Sequence, residues 1–251
     1  MKLYQTYTSP FPTRVRLVLY AKGLSPEIIE PPGFHATVES KGDYFSINPI
    51  GRVPALVTDD GRALPESEVI CEYLEEAYPE PSLLGSTPRQ NAHIRTLARI
   101  GDVYLISTAF TLASLTGTLA AQTPVPTGIE SIVTLLSGQL ANSVRTLDRM
   151  IGRDGFACLG RLTLADCALV PALSYVQHMM LNRGLADPIA ANVNVAAYQA
   201  AIQGQEPAAR VLAEFHRGRE ERREQISTGE LEKMRAANQA AREAAERARS
   251  A

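Results

Sequence analysis

Three short groups of residues in the first third of the chain have types and spacing suited to binding a small polar ligand. Ser9 lies in a stiff turn, Ser9-Pro10-Phe11-Pro12, directly before a helix-forming run. Val53-Pro54 precedes a predicted strand, where a cis peptide bond would turn the backbone N–H and C=O of Val53 toward a ligand. Glu66-Ser67 stands at a predicted helix start. A carboxylate, a hydroxyl and free backbone N–H groups there can hold the ammonium and carboxylate of an amino acid, although an ordinary helix cap explains the same pair.

The elements that must position these groups are short strands and helices. Residues 2–7 alternate as a strand does, and residues 26–30 predict a second strand. Residues 53–57 and 62–64 flank an Asp-Gly turn and predict a β-hairpin. A helix between the first two strands and another after the hairpin, ended by Pro79, complete the order βαβ…ββα. This order predicts one small mixed sheet with helices beside it.

The helix after the Ser9 turn is predicted to be amphipathic. Gly23 is a suitable C-terminal cap for it. Apolar residues recur at helical spacing and basic residues occupy other positions, namely Val15, Val18 and Leu19 against Arg14, Arg16 and Lys22.

The composition changes after residue 80, which we take as the end of a first domain. Residues 81–88, rich in Pro, Ser and Gly, predict a linker, and residues 89–215 predict an all-helical second domain. Residues 216–251, rich in Ala, Arg and Glu, predict a charged tail that is either a solvated helix or frayed. Helical patterns cover 89–121, 128–151, 163–182 and about 194–215, and the third opens with a capping-box pattern, Thr163-Leu164-Ala165-Asp166.

The bulk properties exclude several classes of function. The 251 residues carry a formal net charge of -2 with a pI near 6.1, so no general positive field attracts nucleic acid. The three cysteines form no CxxC pair and no histidine stands at metal-ligand spacing, so we expect reduced thiols and no metal site. The N-terminus has no apolar signal-peptide core, and we expect a cytoplasmic protein.

An uncharged run from Val103 to Ile129 is long enough in principle to cross a bilayer. Its core, residues 104–121, contains six Ser or Thr residues, and Pro124 and Pro126 follow closely. Such weak apolarity favours a buried helix that faces a cleft, and we expect no membrane association.

Residues 48–79 carry a combination of motifs that resembles the glutathione-binding region of cytosolic glutathione transferases. The stretch NPIGRVPALVTDDGRALPESEVICEYLEEAYP fits the pattern NPxGxVPxL…ESxxIxxYL. The resemblance implies an α/β N-terminal domain of thioredoxin-like fold (βαβαββα) followed by an all-helical domain, which agrees with the outline above over residues 1–215. It also implies glutathione as co-substrate, no metal and a homodimer. The charged tail is longer than the family usually carries.

The glutathione-binding residues are carried over from the resemblance by position. The backbone of Val53-Pro54 corresponds to the partner of the cysteinyl part of glutathione, and Glu66-Ser67 to the partners of its γ-glutamyl end. Arg52 and Lys41 are candidates near the glycyl carboxylate. Arg52 stands where Gln or Lys is more common in the family, which weakens its assignment, and a solvated loop lysine is the alternative for Lys41.

Ser9 is the candidate that stabilises the glutathione thiolate. A free thiol has a pKa of about 8.5 and is mostly protonated at neutral pH unless a hydroxyl donor or a helix N-terminus stabilises the anion. Ser9 offers both. Relatives with SPFxxRVR (plant tau class) or SSCSxRVR (zeta class) place a serine at this offset, which SPFPTRVR matches and which supports Ser9 over Tyr7, Thr8 or Thr13. Tyr7 and Thr8 remain alternatives, and a turn without cysteine does not predict disulfide exchange.

The resemblance places the electrophile against the helical domain. The uncharged helix around residues 104–118 offers small hydroxyl side chains to an aromatic or oxygenated substrate. Ordinary core packing is the alternative role for each candidate. Asp102 either reaches glutathione across a dimer interface, as an acidic residue does in several relatives, or forms a surface ion pair. The candidate lining residues are Phe11, Tyr104, Thr108 and Tyr175, with Phe110, His178 and Met179 as further members.

The function that the resemblance implies is that of a glutathione transferase acting on a small aromatic or hydrophobic electrophile. Residues 47–80 also resemble the corresponding stretch of bacterial glutathione-dependent β-etherases, which cleave aryl ethers derived from lignin. The shared positions belong to the glutathione site and say little about the substrate. An isomerase of the maleylacetoacetate type is less favoured because SPFPTRVR lacks the SSC element. A non-catalytic glutathione-binding or scaffolding protein, with the charged tail as an interaction arm, is the remaining alternative.

Overall fold

A computed structural model of the chain describes residues 1–31, 44–119 and 127–230, with single positions beyond them at Lys233, Ala236, Ala240, Glu243 and Arg247. The chain divides into two compact units. The first consists of Met1–Ala77 together with Ala213–Ala251, and the second of Tyr78–Leu212. The C-terminal segment therefore returns to the unit that contains the N-terminus.

A four-stranded mixed sheet forms the centre of the first unit, as the sequence predicts. The spatial order of the strands is β2-β1-β3-β4, with β1 parallel to β2 and antiparallel to β3, and β3 antiparallel to β4. The strands and helices of residues 1–77 are β1 (Lys2–Tyr4), α1 (Pro10–Ala21), β2 (Glu27–Ile29), α2 (Tyr44–Ile47), β3 (Ala55–Val57), β4 (Ala63–Pro65) and α3 (Ser67–Ala77). This is the βαβαββα order of a thioredoxin-like domain.

The first strand is shorter than predicted. It ends at Tyr4, and the next backbone bond to β2, from Gln5 N to Ile29 O, is 2.8 Å long. Tyr7 and Thr8 then form a turn instead of continuing the strand. The prediction of a strand over residues 2–7 was wrong at its end because the alternation of side chains continues into the turn that leads to Ser9.

Helix α1 is buried on nearly all sides, whereas the sequence predicts an amphipathic helix. The exposed fraction is 3% for Arg14, 0% for Arg16 and 8% for Lys22. Lys22 forms an ion pair of 2.7 Å with Glu75 of α3, and Arg16 forms one of 3.0 Å with Glu214. Arg16 and Lys22 are tolerated in these buried positions because each has an acidic partner from another element.

The second unit is helical. The predicted single helix at about 194–215 is in fact two helices, separated at Gln203-Gly204-Gln205, and the predicted start of the charged tail at residue 216 falls inside the second of them. The helices from residue 78 onward are α4 (Pro88–Arg99), α5 (Ser107–Ser114), α6 (Ile129–Met150), α7 (Leu164–Asn182), α8 (Val193–Ile202) and α9 (Glu206–Ser227), the last of which continues into the first unit.

The apolar run at residues 100–119 contains two π-helical segments, Ile100–Ile106 and Leu115–Leu119, on either side of α5. The helical stretch Pro88–Gly117 is long and apolar enough to cross a membrane by length and composition alone. Core helices of soluble proteins meet the same test. Leu105, Ile106 and Leu112 are fully buried within the helical unit, whereas Val103, Tyr104 and Phe110 of the same stretch are exposed.

Helix α7 is buried along most of its length and begins with the predicted capping box. Asp166 accepts hydrogen bonds from the backbone N–H and hydroxyl of Thr163 at 2.8 and 2.9 Å, from Ala157 N at 2.7 Å and from the Tyr198 hydroxyl at 3.2 Å. Burial raises the pKa of Asp166 to about 6, while these four donors act in the opposite direction. Through Asp166, the start of α7 is therefore hydrogen-bonded to the preceding loop and to α8.

Candidate functional site

Ser9 occupies the N-cap position of α1, with Pro10 as the first helical residue. Its backbone is extended, with φ of -100° and ψ of 135°, and its side chain makes no capping hydrogen bond. Within the described part of the chain the Ser9 hydroxyl has no hydrogen-bond partner. The Ser9 hydroxyl, at the positive end of the α1 dipole, therefore remains available to a ligand.

The other hydroxyl groups of the turn have different surroundings. Thr13 is fully buried, and its hydroxyl donates to Ser9 O at 2.9 Å and accepts from Arg16 at 3.1 Å. The hydroxyls of Thr6 and Thr8 lie 3.5 Å apart. The Tyr7 ring is covered by the Arg16 guanidinium, 4.6 Å from the ring centroid. Thr13 is thus committed to the backbone, whereas Ser9, Tyr7 and Thr8 remain candidates.

The loop before β3 is held by side chains that donate to one backbone carbonyl. The Arg52 carbonyl accepts from the Tyr44 hydroxyl and from the Asn48 side-chain amide, each at 2.7 Å, and the side-chain Oδ1 of Asn48 accepts from Ile50 N at 3.0 Å. Burial raises the pKa of Tyr44 to about 12, so its hydroxyl stays a donor. These bonds fix the backbone immediately before Val53, whose peptide bond to Pro54 is cis as predicted.

Gly51 is required in this loop by its conformation and by its neighbour. Its φ is +66°, a left-handed value, and an added Cβ would lie 2.5 Å from the ring of Phe45. The following side chain, Arg52, is exposed and available to a ligand carboxylate. Lys41, the other candidate for the glycyl carboxylate, lies outside the described residues.

Glu66 has a left-handed backbone, with φ of 69°, although it is neither glycine nor asparagine. Such a conformation costs on the order of 1–3 kcal/mol and is concentrated at functional sites. Its carbonyl accepts from Ile70 N at 2.9 Å, while its side chain is exposed. Ser67 starts α3, is 5% exposed, and within the described residues its hydroxyl has no partner.

The register of the sheet brings the three groups to one end of it. Tyr4, after which the chain leads to Ser9, pairs with Ala55, the residue directly after Val53-Pro54. Ala55 also pairs with Pro65, the residue directly before Glu66-Ser67. The sequence predicts each group separately, and the two antiparallel pairings of β3 explain why they lie together.

Three side chains of the site are missed or only partly recognised from the sequence. Asn48 was recognised as part of a motif without a role, and Tyr44 and Phe45 were not recognised at all. Nothing in the sequence signals the left-handed backbone of Glu66. Gly51 has the left-handed conformation that glycine often adopts in turns, so the glycine itself was a signal from which a turn could have been predicted.

The candidate substrate residues fall in different units. Phe11 is half-buried in α1, whereas Tyr104 is exposed on the first π-helical segment and Thr108 is half-buried on α5. Tyr175 of α7 is buried and stacks on Phe110, with ring centroids 4.8 Å apart and ring planes inclined by 18°. The aromatic pair shows that Tyr175 packs within the helical unit.

His178 and Met179 follow Tyr175 on α7. Met179 is buried, and a nitrogen of the His178 ring lies 2.6 Å from the amide nitrogen of Asn182. Asp102 is half-buried on the first π-helical segment.

Comparison with known proteins agrees with this architecture. The family models of the glutathione S-transferase N-terminal and C-terminal domains match residues 3–82 and 130–201. Maleylacetoacetate isomerase of Pseudomonas aeruginosa is 34% identical over 69% of this chain and 80% of that protein. Protein LigF of Sphingobium sp. is 38% identical over 41% of this chain, but the match spans only 40% of LigF.

A solved structure provides the same assignment in three dimensions. Maleylacetoacetate isomerase from Methylobacterium extorquens AM1, with bound malonate and GSH, has a TM-score of 0.66 and 26% identity, covering 84% of this chain and 95% of that one. Two matching domain models, a relative covered over most of its length and this structural similarity converge. The chain belongs to the glutathione S-transferase family.

Proposed function

We propose that this protein activates the thiol of glutathione as a thiolate, with Ser9 as the stabilising hydroxyl, and directs it at a small aromatic or hydrophobic electrophile. The observation that carries the proposal is the Ser9 hydroxyl at the N-cap of α1, which makes no hydrogen bond within the described residues. A hydroxyl donor and a helix N-terminus that act on one sulfur lower its pKa together. The thiolate is the nucleophilic form.

The binding roles follow from the groups at the same end of the sheet. The Val53 backbone pairs with the cysteinyl part of glutathione, and Glu66-Ser67 binds the γ-glutamyl ammonium and carboxylate. Arg52 binds the glycyl carboxylate, with Lys41 as a second cation. The bonds of Tyr44 and Asn48 to the Arg52 carbonyl support this arrangement because they hold the loop before ligand binds.

The reaction is nucleophilic attack on carbon. In a displacement, a C–S bond forms while the bond to the leaving group breaks, and the leaving group departs with the electron pair and then takes up a proton from solvent. In an addition to an activated alkene, the electron pair moves to the alkene carbon next to the activating group, which is then protonated. The exposed ring of Phe110 and the hydroxyl-rich α5 supply aromatic and polar surface on the helical unit. We also propose a cytoplasmic homodimer, as the family implies.

Glutathione-dependent cleavage of aryl ethers is a second candidate function. It rests on the resemblance of residues 47–80 to the β-etherases and is compatible with the same thiolate. The aryloxide would be the leaving group in this case. The two candidates differ in the electrophile and share every residue of the glutathione site.

A panel of electrophiles incubated with glutathione tests the function. We expect thiol consumption and thioether formation with at least one aryl halide, enone or aryl ether, and release of a phenol in the last case. Maleylacetoacetate belongs in the panel because of the relative from P. aeruginosa. Measurable affinity for glutathione without turnover of any electrophile would instead indicate a non-catalytic glutathione-binding protein.

The substitution Ser9→Ala tests the activating group. We expect the pKa of the bound thiol, titrated through thiolate absorbance, to rise by about one unit or more, which lowers the ratio of thiolate to thiol at a given pH by about ten-fold or more. The turnover number should fall in parallel while the affinity for S-methylglutathione stays constant. Tyr7→Phe and Thr8→Val are matched controls. A rise with one of these, and none with Ser9→Ala, would transfer the role to that residue.

A further inference from the structure

The C-terminal segment contributes a partly buried carboxylate to the thioredoxin-like unit. Glu214 of α9 forms an ion pair of 3.0 Å with Arg16, and the Tyr20 hydroxyl donates to its two oxygens at 2.9 and 3.1 Å. The side chain of Arg16 is fully inaccessible and that of Glu214 is 13% exposed. Burial lowers the pKa of Arg16, and the charge of Glu214 opposes that effect. A buried guanidinium that loses its anion is strongly destabilised, so Glu214 sets the position of Arg16.

Arg16, held in position by Glu214, forms hydrogen bonds with residues on both sides of the turn that contains Ser9. Its guanidinium donates to the Gln5 side chain, just after β1, and to the Thr13 hydroxyl at 3.1 Å. The Thr13 hydroxyl in turn donates to the Ser9 carbonyl at 2.9 Å. A continuous series of contacts therefore runs from Glu214 through Arg16 and Thr13 to the backbone of Ser9.

The same helix also contacts the other side of the turn. Gly218, one helical turn after Glu214, lies so close to Tyr7 that an added Cβ would be 2.6 Å from the Tyr7 Cβ. Arg16 covers the Tyr7 ring at 4.6 Å. Arg222, one turn further along, forms an ion pair of 3.8 Å with Glu30 after β2. The segment Glu214–Arg222 is thus seated on the first unit at three successive helical turns.

We propose that Glu214 is a positioning residue for the thiol-activating turn, holding the Ser9 hydroxyl in place through Arg16 and Thr13. This inference rests on the role of Ser9 given above. In functional terms, Glu214, at the end of the predicted all-helical domain (89–215), belongs to the glutathione site of the first unit.

Glu214→Gln in the full-length protein tests the proposal, because glutamine keeps the shape and one acceptor but removes the charge. Glu221→Gln, an exposed carboxylate on the same helix, is the matched control. Hydrogen exchange of peptides covering residues 6–13 reports on the turn without any ligand. We expect faster exchange there for Glu214→Gln, unchanged exchange in β3 and α3, and no change for the control.

The thiol pKa of bound glutathione is the second measurement, at a temperature where each variant is folded. We expect Glu214→Gln to raise it by about one unit, with Thr13→Val giving a similar shift and Thr13→Ser restoring the original value. Loss of thermal stability with unchanged exchange in residues 6–13 and unchanged thiol pKa would overturn the proposal and leave Glu214 a purely structural residue.

The two proposals fail in different ways. If Ser9→Ala raises the thiol pKa and Glu214→Gln does not, only the positioning role is wrong. If Ser9→Ala leaves the pKa unchanged, the role of Ser9 is wrong, and the exchange of residues 6–13 still decides whether Glu214 holds the turn.

Discussion

At the scale of single residues, Glu66 combines backbone strain with an exposed carboxylate. Gly51 and Glu66 both have left-handed backbones, but only glycine adopts this conformation without a steric cost. The steric cost of placing a glutamate in such a position points to an interaction of its side chain that glycine could not make. The placement beside the N-terminus of α3 and next to Ser67 supports a role in binding the ammonium group of a ligand.

Glu66→Gly should therefore separate binding from stability. Relief of the strained backbone and the greater entropy of glycine in the unfolded chain oppose each other, so the free energy of unfolding should stay within about 1 kcal/mol of the original. Loss of a charge-assisted hydrogen bond should weaken glutathione binding by about ten-fold or more. Calorimetric titration and thermal unfolding measure both, with Glu76→Gly, an exposed residue of α3, as control for the substitution. Unchanged affinity would contradict the assigned role.

At the scale of elements, the loop between α2 and β3 depends on hydrogen bonds that cannot be read from its sequence motif. The sequence predicts the order of strands and helices, the hairpin turn and the cis bond at Val53-Pro54, because glycine, proline and hydrophobic periodicity act locally. It does not predict that Tyr44 and Asn48 both donate to the Arg52 carbonyl. The sequence also predicts too long a first strand, because the turn at Tyr7-Thr8 is fixed by contacts with residues that are distant in sequence.

Asn48→Ala should loosen the loop more than Tyr44→Phe does. Asn48 supplies one donor to the Arg52 carbonyl and the acceptor for Ile50 N, whereas Tyr44 supplies one donor. We expect a loss of about 2–3 kcal/mol in the free energy of unfolding for Asn48→Ala and about 1 kcal/mol for Tyr44→Phe. Denaturant unfolding measures both, and glutathione affinity should fall in the same order. Equal effects would mean that the bond to Ile50 contributes little.

At the scale of the whole molecule, the C-terminal residues lie last in the sequence but belong to the same compact unit as the N-terminal residues. Residues from Ala213 onward belong to the unit that contains the N-terminus. Glu214 forms an ion pair with Arg16, although most of the chain separates the two residues in sequence. Composition alone predicts a solvated tail from residue 216, because a run of Arg and Glu carries no signal of the contacts that Gly218 makes with Tyr7 and Arg222 with Glu30. The same limit applied to α1, whose basic residues are buried.

Ligand binding should be visible in the stability of the whole protein, and it can separate binding from thiol activation. Glutathione at about 100 times its dissociation constant adds about 2.7 kcal/mol to the free energy of unfolding if it binds only the folded state. S-methylglutathione has the same peptide groups but no ionisable thiol. If Ser9 acts only on the sulfur anion, Ser9→Ala should retain the stabilisation by S-methylglutathione and lose part of that by glutathione at neutral pH. Glu66→Ala should lose both. Calorimetric unfolding at matched ligand concentrations measures these shifts, and an equal loss for both ligands in Ser9→Ala would make Ser9 a general binding residue, leaving another group to activate the thiol.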